Sequence, residues 1–366
     1  MVSYSFSKEF IDRFSEFVSS GEYQKIPNHA KSDYWEYQSK NVSVEISGNT
    51  ISVGGKSGYY VPPSKNSFSN IKNKLIKAYQ NPDELIHFLA GKLRRPQRGG
   101  PIQLLNYFDS FDAVMTHNPV TDIDLAPYRI NFKSLNTKNG IVSSVEEMKQ
   151  GYFVRNKYQL NPQMVYAYYL SNIISGYIGQ KPNIILEIGA GNGNLASLLY
   201  NLLEPTIIIV DLPETLCLSI PFIADLFPDK KILMPHESHL YDLDSCDFIF
   251  LTPSQTNTIE DNSIDLSICI HAFQEMTHHQ IKEYFSLIQR ASHTGSHFLC
   301  CSRVEKIPAS FVEREETDIP VNRFSDYPWN PNNEIIIYEI CKLMRLVQLD
   351  NTFIRLERIL KNGNEE

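Results

Sequence analysis

The chain has 366 residues, 42% of them hydrophobic and 21% charged, with a formal net charge of −8. That length allows two domains and a substantial core. The acidic balance argues against extended nucleic-acid binding, which Lys and Arg contacts to phosphates drive.

The opening "MVSYSFSKEF" lacks a basic stretch followed by an apolar one, so no signal peptide is expected. No apolar run approaches the roughly 20 residues that a membrane span needs. "VSVEISGNTISVGG" (Val42–Gly55) predicts a hairpin, with alternating strands around "SGNT". Helices are expected at Phe68–Tyr79 and Asn81–Leu93. "RRPQRGGP" (Arg94–Pro101) is a loop with three arginines, read as a solvated turn ahead of an anion site.

The chain changes character near residue 155. Before it the sequence is polar, Tyr-rich and irregular, and residues 1–155 are expected to form a mixed α+β accessory domain on the substrate side. Residues 156–366 start with a helix over Asn161–Ile178 and then alternate strands and helices. Strands are predicted at Ile184–Ile188, Thr206–Val210, Phe248–Leu251, Ile264–Ile270 and His297–Ser302. Helices are predicted at Leu195–Leu203, Glu214–Leu226 and His279–Ala291. This α/β alternation implies a mainly parallel sheet with helices on both faces. Two strand-like runs within Asn333–Leu360, joined by a short link, suit an antiparallel closing pair.

"NIILEIGAGNGNLASLLY" (Asn183–Tyr200) holds Gly189, Gly191 and Gly193 directly after the first strand. Glycine admits positive φ and lets backbone approach a ligand. A doubly wound sheet binds its ligand at that end of the strand. Gly193 is followed by Asn194 and Leu195, so the Lys-Ser/Thr of a P-loop is missing. The spacing GxGxG differs from the dinucleotide GxGxxG. Glu187 before it would repel a pyrophosphate and favour a ligand carrying ammonium and sulfonium groups. This points to S-adenosylmethionine. Asp211, ending "TIIIVD" about twenty residues on, suits the ribose hydroxyls, though NAD sites use the same device and a helix N-cap is its alternative role.

"EIGAGNG" followed by "VDLPETL" resembles the class I S-adenosylmethionine-dependent methyltransferases. "FIFLTPSQ", "DNSIDLSICIHAFQEM", "YFSLIQRA" and "RFSDYPW" together resemble the sugar O-methyltransferases of bacterial saccharide and natural-product pathways, from about Gln150 onwards. The resemblance implies a Rossmann-like fold with a mainly parallel seven-stranded sheet and an antiparallel C-terminal hairpin. It implies that Glu187, Gly189, Gly191, Gly193 and Asn194 hold the amino-acid end of the cofactor. Asp211 would take the ribose, Leu212 would lie against the adenine, and Pro253 and Ser254 would flank that ring.

Methyl transfer needs a positioned acceptor and, for a hydroxyl, a general base. His271 and Glu275 follow the fourth main strand, where the methyl group is expected. Neutral imidazole is a suitable acceptor of the hydroxyl proton, and a partly buried structural histidine is the alternative. Glu275 could be the base, orient His271, or bind substrate; a dipole-favoured acid near a helix start is the plainer role. Arg303, Tyr327 and Trp329, with Arg323, are candidates for a sugar pocket. A Tyr–Pro–Trp staple pinning the loop is the alternative for the aromatics. Arg155 could pair with the cofactor carboxylate or lie on the surface. His236, Glu237, His239, Asp242, Asp244 and Asp247 match no defined metal spacing, and no metal is predicted. The six cysteines form no CxxC pair and are expected to be reduced and mostly buried in a cytoplasmic protein. The expected activity is O-methylation of a sugar hydroxyl on a small-molecule or saccharide substrate, without nucleic-acid partners. Alternatives are O-methylation of a non-sugar small molecule, a non-catalytic binding module with this fold, and a dehydrogenase.

Overall fold

The computed structural model describes residues 2–24, 42–55, 162–306 except 241 and 244, 321–341 and 352–361. Residues 1–60, 177–341 and 351–366 form one compact unit, and 61–176 with 342–350 form another. The expected helices at 68–79 and 81–93, the arginine loop at 94–101, Arg155 and the boundary at residue 155 lie outside the described residues.

In the first unit, strand β1 (Val2–Ser5) leads into helix α1 (Lys8–Ser19), whose first turn is capped by the Ser7 hydroxyl accepting from the Phe10 amide. Ile11, Phe14 and Phe17 recur at helical spacing and are buried. A short helix, α2 (Gly21–Gln24), follows. The predicted hairpin is present as β2 (Val42–Ser47) and β3 (Thr50–Gly55). Gly48 at its tip has φ +56°, which suits a two-residue turn. β3 also pairs with β1, giving a three-stranded antiparallel sheet. Helix α3 (Pro162–Tyr177) forms where 161–178 was expected, and the described residues of the second unit are its residues 162–176.

The large sheet begins at β4 (Ile184–Ile188) and continues through helix α4 (Asn194–Leu203), β5 (Thr206–Val210) and helix α5 (Pro213–Leu226). Then come β6 (Ile232–Leu233), β7 (Phe248–Leu251), β8 (Ile264–Ile270), helix α6 (His278–Ala291) and β9 (Ser292–Arg303). A ribbon of β10 (Glu305–Lys306) and β11 (Asn322–Arg323) precedes β12 (Glu334–Ile340) and β13 (Thr352–Arg358). The strand order is β12-β13-β9-β8-β4-β5-β7-β6. Strands β4 to β9 are parallel, and β13 is antiparallel to both its neighbours, β9 and β12. This is a Rossmann-like α/β arrangement, mainly parallel, with an antiparallel closing pair. The sheet has eight strands where seven were expected, because the two-residue β6 adds an edge beyond β7.

The central strands are mostly apolar because parallel strands here are covered on both faces. Ile185, Leu186, Ile188, Ile207, Ile208, Ile209 and Val210 are fully buried. β9 starts five residues before its predicted start, at Ser292. All six cysteines are buried and unbridged. Among the described residues, no helix is long and apolar enough to cross a membrane.

Within this unit, Glu237 ties helix α1 to the large sheet. Arg13 donates from Nε and Nη2 to the two Glu237 carboxylate oxygens at 2.6 and 2.7 Å, and also to the Ile232 carbonyl. Asp247 accepts from the Tyr200 hydroxyl and the Lys231 amide.

Candidate functional site

β4, β5 and β8 end at one edge of the sheet, and their following loops enclose a cleft of about 770 Å³, open mouth included. The glycine loop forms one wall. Gly189, Gly191 and Gly193 have φ of +74°, +62° and +81°, a region that L side chains rarely adopt. Their surroundings differ. A Cβ built on Gly189 would stand 2.3 Å from the Ala272 Cβ, so this glycine lets the β4 and β8 loops touch. One on Gly193 would meet Ile223 of α5 at 2.9 Å. A Cβ on Gly191 would meet nothing within 4 Å, and Gly191 lines the cleft.

Two carboxylates lie at the inner end of the loop. Glu187, on β4, is 3% exposed, and its Oε2 has no hydrogen-bond partner among the described residues. Burial, then the neighbouring Asp211 charge, pushes its pKa up to about 8 against the pull of the Ala196 amide. Asp211 accepts from the Gly191 amide at 2.9 Å and from its neighbour Leu212 at 2.7 Å. Burial raises its pKa to about 7, while those two amides and the Thr215 hydroxyl pull it down. A buried carboxylate oxygen without a partner, beside a second carboxylate, favours a proton or a positive charge.

The β8 side carries the candidate acid–base groups. His271 follows the strand with φ +61°, and its amide donates to the Cys301 carbonyl. A non-glycine residue held in this region stores strain, which concentrates at functional sites. A 3₁₀ turn over Phe273–Glu275 then brings Glu275 to the cleft. Lys306, 5% exposed, stands 3.7 Å from Glu275 Oε1. Met276, Gln280 and Tyr284 complete this wall. Thr277 and Gln280 cap α6 reciprocally, amide to side chain in both directions.

Of the residues expected to hold a cofactor, Gly189, Gly191, Asp211, Leu212 and Pro253 line the cleft, as do His271 and Glu275. Glu187 lies buried beside Asp211. Gly193 and Asn194 start α4 and are absent from the lining. Ser254 also does not line the cleft; its hydroxyl bonds to that of Thr252.

The three substrate candidates are not brought to this cleft. Arg303 ends β9 and donates its amide to Gln274. Tyr327 is buried against Phe273, Phe324 and Phe285. Trp329 packs on Phe285 and Phe324, donates Nε1–H to the Phe324 carbonyl, and lies under the Arg355 guanidinium at 4.2 Å. Both rings pack among phenylalanines, as a staple pinning this loop would. Sequence reasoning missed Lys306, Met276, Gln280 and Tyr284. A signal existed for Gln280, since Thr277 three residues earlier completes the capping-box pattern.

No family model matches the chain, and no curated protein matches it. Among solved structures, it is similar to the complex of the Haloferax volcanii Trm112 methyltransferase activator with a candidate methyltransferase. That match has 13% identity over 54% of this chain and 90% of the other, with a TM-score of 0.34. A candidate type 11 methyltransferase from Sulfolobus solfataricus shares 17% identity over 54% of this chain and 94% of its own, at 0.34. The [4+2]-cyclase SpnF shares 12% over 56% and 85%, at 0.39. All three scores lie below 0.5, and the reading of the site rests on its own residues.

Proposed function

We propose that the chain binds S-adenosylmethionine in the cleft beyond β4, β5 and β8 and transfers its methyl group to a hydroxyl of a small acceptor. The observation that carries this reading is the buried Glu187 carboxylate, with an oxygen left without a partner, beside Asp211 and an open glycine loop. Two carboxylates favour a ligand with cationic groups and disfavour a pyrophosphate. Bound there, S-adenosylmethionine supplies an electrophilic methyl group on a sulfonium. Asp211, which lines the cleft, receives hydroxyl groups of the ligand, Glu187 behind it adds negative charge for its cationic groups, and Gly191 leaves room for them. His271 takes the acceptor's hydroxyl proton on a ring nitrogen.

The first acceptor class to test is a sugar hydroxyl, which the resemblance of "IHAFQEM" and its neighbouring segments supports. A non-sugar small molecule is the second reading, and the position of Tyr327 and Trp329 away from the cleft favours it. Small-molecule or saccharide chemistry in the cytoplasm, without nucleic acid, belongs to the same reading and accords with the net charge of −8. Titration calorimetry with S-adenosylmethionine tests the donor: no heat of binding at millimolar ligand sinks the proposal. Incubation with labelled donor and a panel of nucleotide sugars, glycans and phenols, read by mass shift, then identifies the acceptor class.

A further inference from the structure

The turn that carries His271 and Glu275 is held from outside by the β9–β11 region. Gln274 Oε1 accepts the Arg303 amide at 3.0 Å. Asn322, almost fully buried on β11, donates from Nδ2 to the Met276 carbonyl at 2.7 Å and to the Phe273 carbonyl at 3.3 Å. Lys306, its register partner on β10, faces Glu275 Oε1 at 3.7 Å. An Arg323–Glu305 ion pair of 2.8 Å joins the same two strands on their exposed side. So the two backbone carbonyls flanking Glu275 and its side chain are all met by a two-residue ribbon.

We infer that Lys306 is a positioning residue: with Asn322 it sets the acceptor-side turn, and it balances the Glu275 charge inside the cleft. Glu275 stands in a cleft that already holds Asp211 and adjoins Glu187. Lysine at 306 makes the Glu275 side neutral overall, so Glu275 serves to orient an acceptor hydroxyl, and the proton goes to His271. A buried ion pair is costly to break from either side.

The inference rests on the proposed donor, and its test needs no acceptor. S-adenosylmethionine carries one positive charge more than S-adenosylhomocysteine, a sulfonium against a thioether. The readout is the ratio of the two affinities by calorimetry. Lys306→Met leaves a net negative charge and raises the preference for S-adenosylmethionine by roughly three- to tenfold. Glu275→Gln leaves a net positive charge and lowers it by a similar factor. Lys306→Arg keeps the wild-type ratio. A role limited to packing would weaken both ligands together, in both variants, and leave the ratio fixed; that result overturns the inference. If Lys306→Met does not fold, the Glu275→Gln ratio decides alone. If the wild type binds neither ligand, the proposed donor fails and takes this inference with it. If it binds both and no ratio moves, only the inference fails.

Discussion

The Gly191 amide donates to Asp211 Oδ2 at 2.9 Å, so the carboxylate expected to hold a cofactor's ribose also ties the glycine loop to the end of β5. The two roles are compatible, because each carboxylate oxygen accepts more than one hydrogen bond. Asp211→Ala therefore costs more than a ligand contact. Affinity for S-adenosylmethionine should fall by about 1.5–3 kcal/mol, and the unliganded protein should also melt earlier. Calorimetry and a melting curve measure the two effects separately. Unchanged affinity removes Asp211 from the ligand site.

Donor binding should depend on pH. Glu187 and Asp211 have pKa values raised to about 8 and 7 in the folded protein. A raised carboxylate favours the folded state below its unfolded pKa, and that contribution is lost as pH rises through the folded value. The free protein should thus lose stability between about pH 5 and 8. A cationic ligand needs the ionised forms, so its affinity should rise over the same window, by up to about tenfold per pH unit below pH 7 for one proton released. Melting temperatures with and without S-adenosylmethionine from pH 5.5 to 9 give both trends. Glu187→Gln should flatten them.

His271 combines chemistry with strain. His271→Ala should reduce turnover by about 10²–10⁴ while donor affinity holds. His271→Gly should be as inactive yet more stable than the alanine variant, by roughly 1 kcal/mol, because glycine accepts φ of +61° without penalty. Equal stability of the two variants would mean that the backbone there is unstrained. Full activity of either would move the base elsewhere.

Gly189 and Gly191 should separate stability from binding. Gly189→Ala forces a contact with Ala272 and an unfavourable φ, for a loss of about 2–4 kcal/mol in denaturant unfolding. Gly191→Ala should cost only about 1–2 kcal/mol of stability. Its methyl group enters the cleft, so its main effect is a weaker affinity for the donor. Similar profiles for the two variants would contradict the different surroundings described for them.

Trp329→Ala tests the aromatic staple. Removing a ring packed on Phe285, Phe324 and Arg355 should cost about 3–5 kcal/mol. A variant with native stability but a raised KM for a sugar acceptor would restore the platform reading.

The sheet strands were legible because their signal is local. "IILEI", "TIIIV" and "FIFL" are rich in β-branched and other apolar residues, with Glu187 the one charge among them, and each of these three predicted strands matches its observed limits. The glycine loop was equally legible, since positive φ at a strand end leaves a residue-type mark. The direction in which Tyr327 and Trp329 point was not. An aromatic residue in a long connection carries no local pattern to say whether it faces a ligand or a core, and the phenylalanines that capture it come from α6, β9 and the turns after β8 and β11. Lys306 and Asn322 were hidden for a related reason. Two-residue strands have no periodicity, and their meaning comes from the turn they meet. Helix α1 did have a pattern, Ile11, Phe14 and Phe17 behind a Ser7 cap, which was open to reading.

Strand β13 lies between β9 and β12 in the sheet, antiparallel to each. On a ribosome, β12 is made before β13, the strand it pairs with among the described residues. Until residues 352–358 emerge, β9 and β12 both present unpaired edges, and the aromatic staple lacks Phe353. The glycine loop and its parallel neighbours can form earlier. Synthesis thus produces a cleft before it produces a closed sheet, and the interval between them is when the nascent chain is most open to strand-edge association.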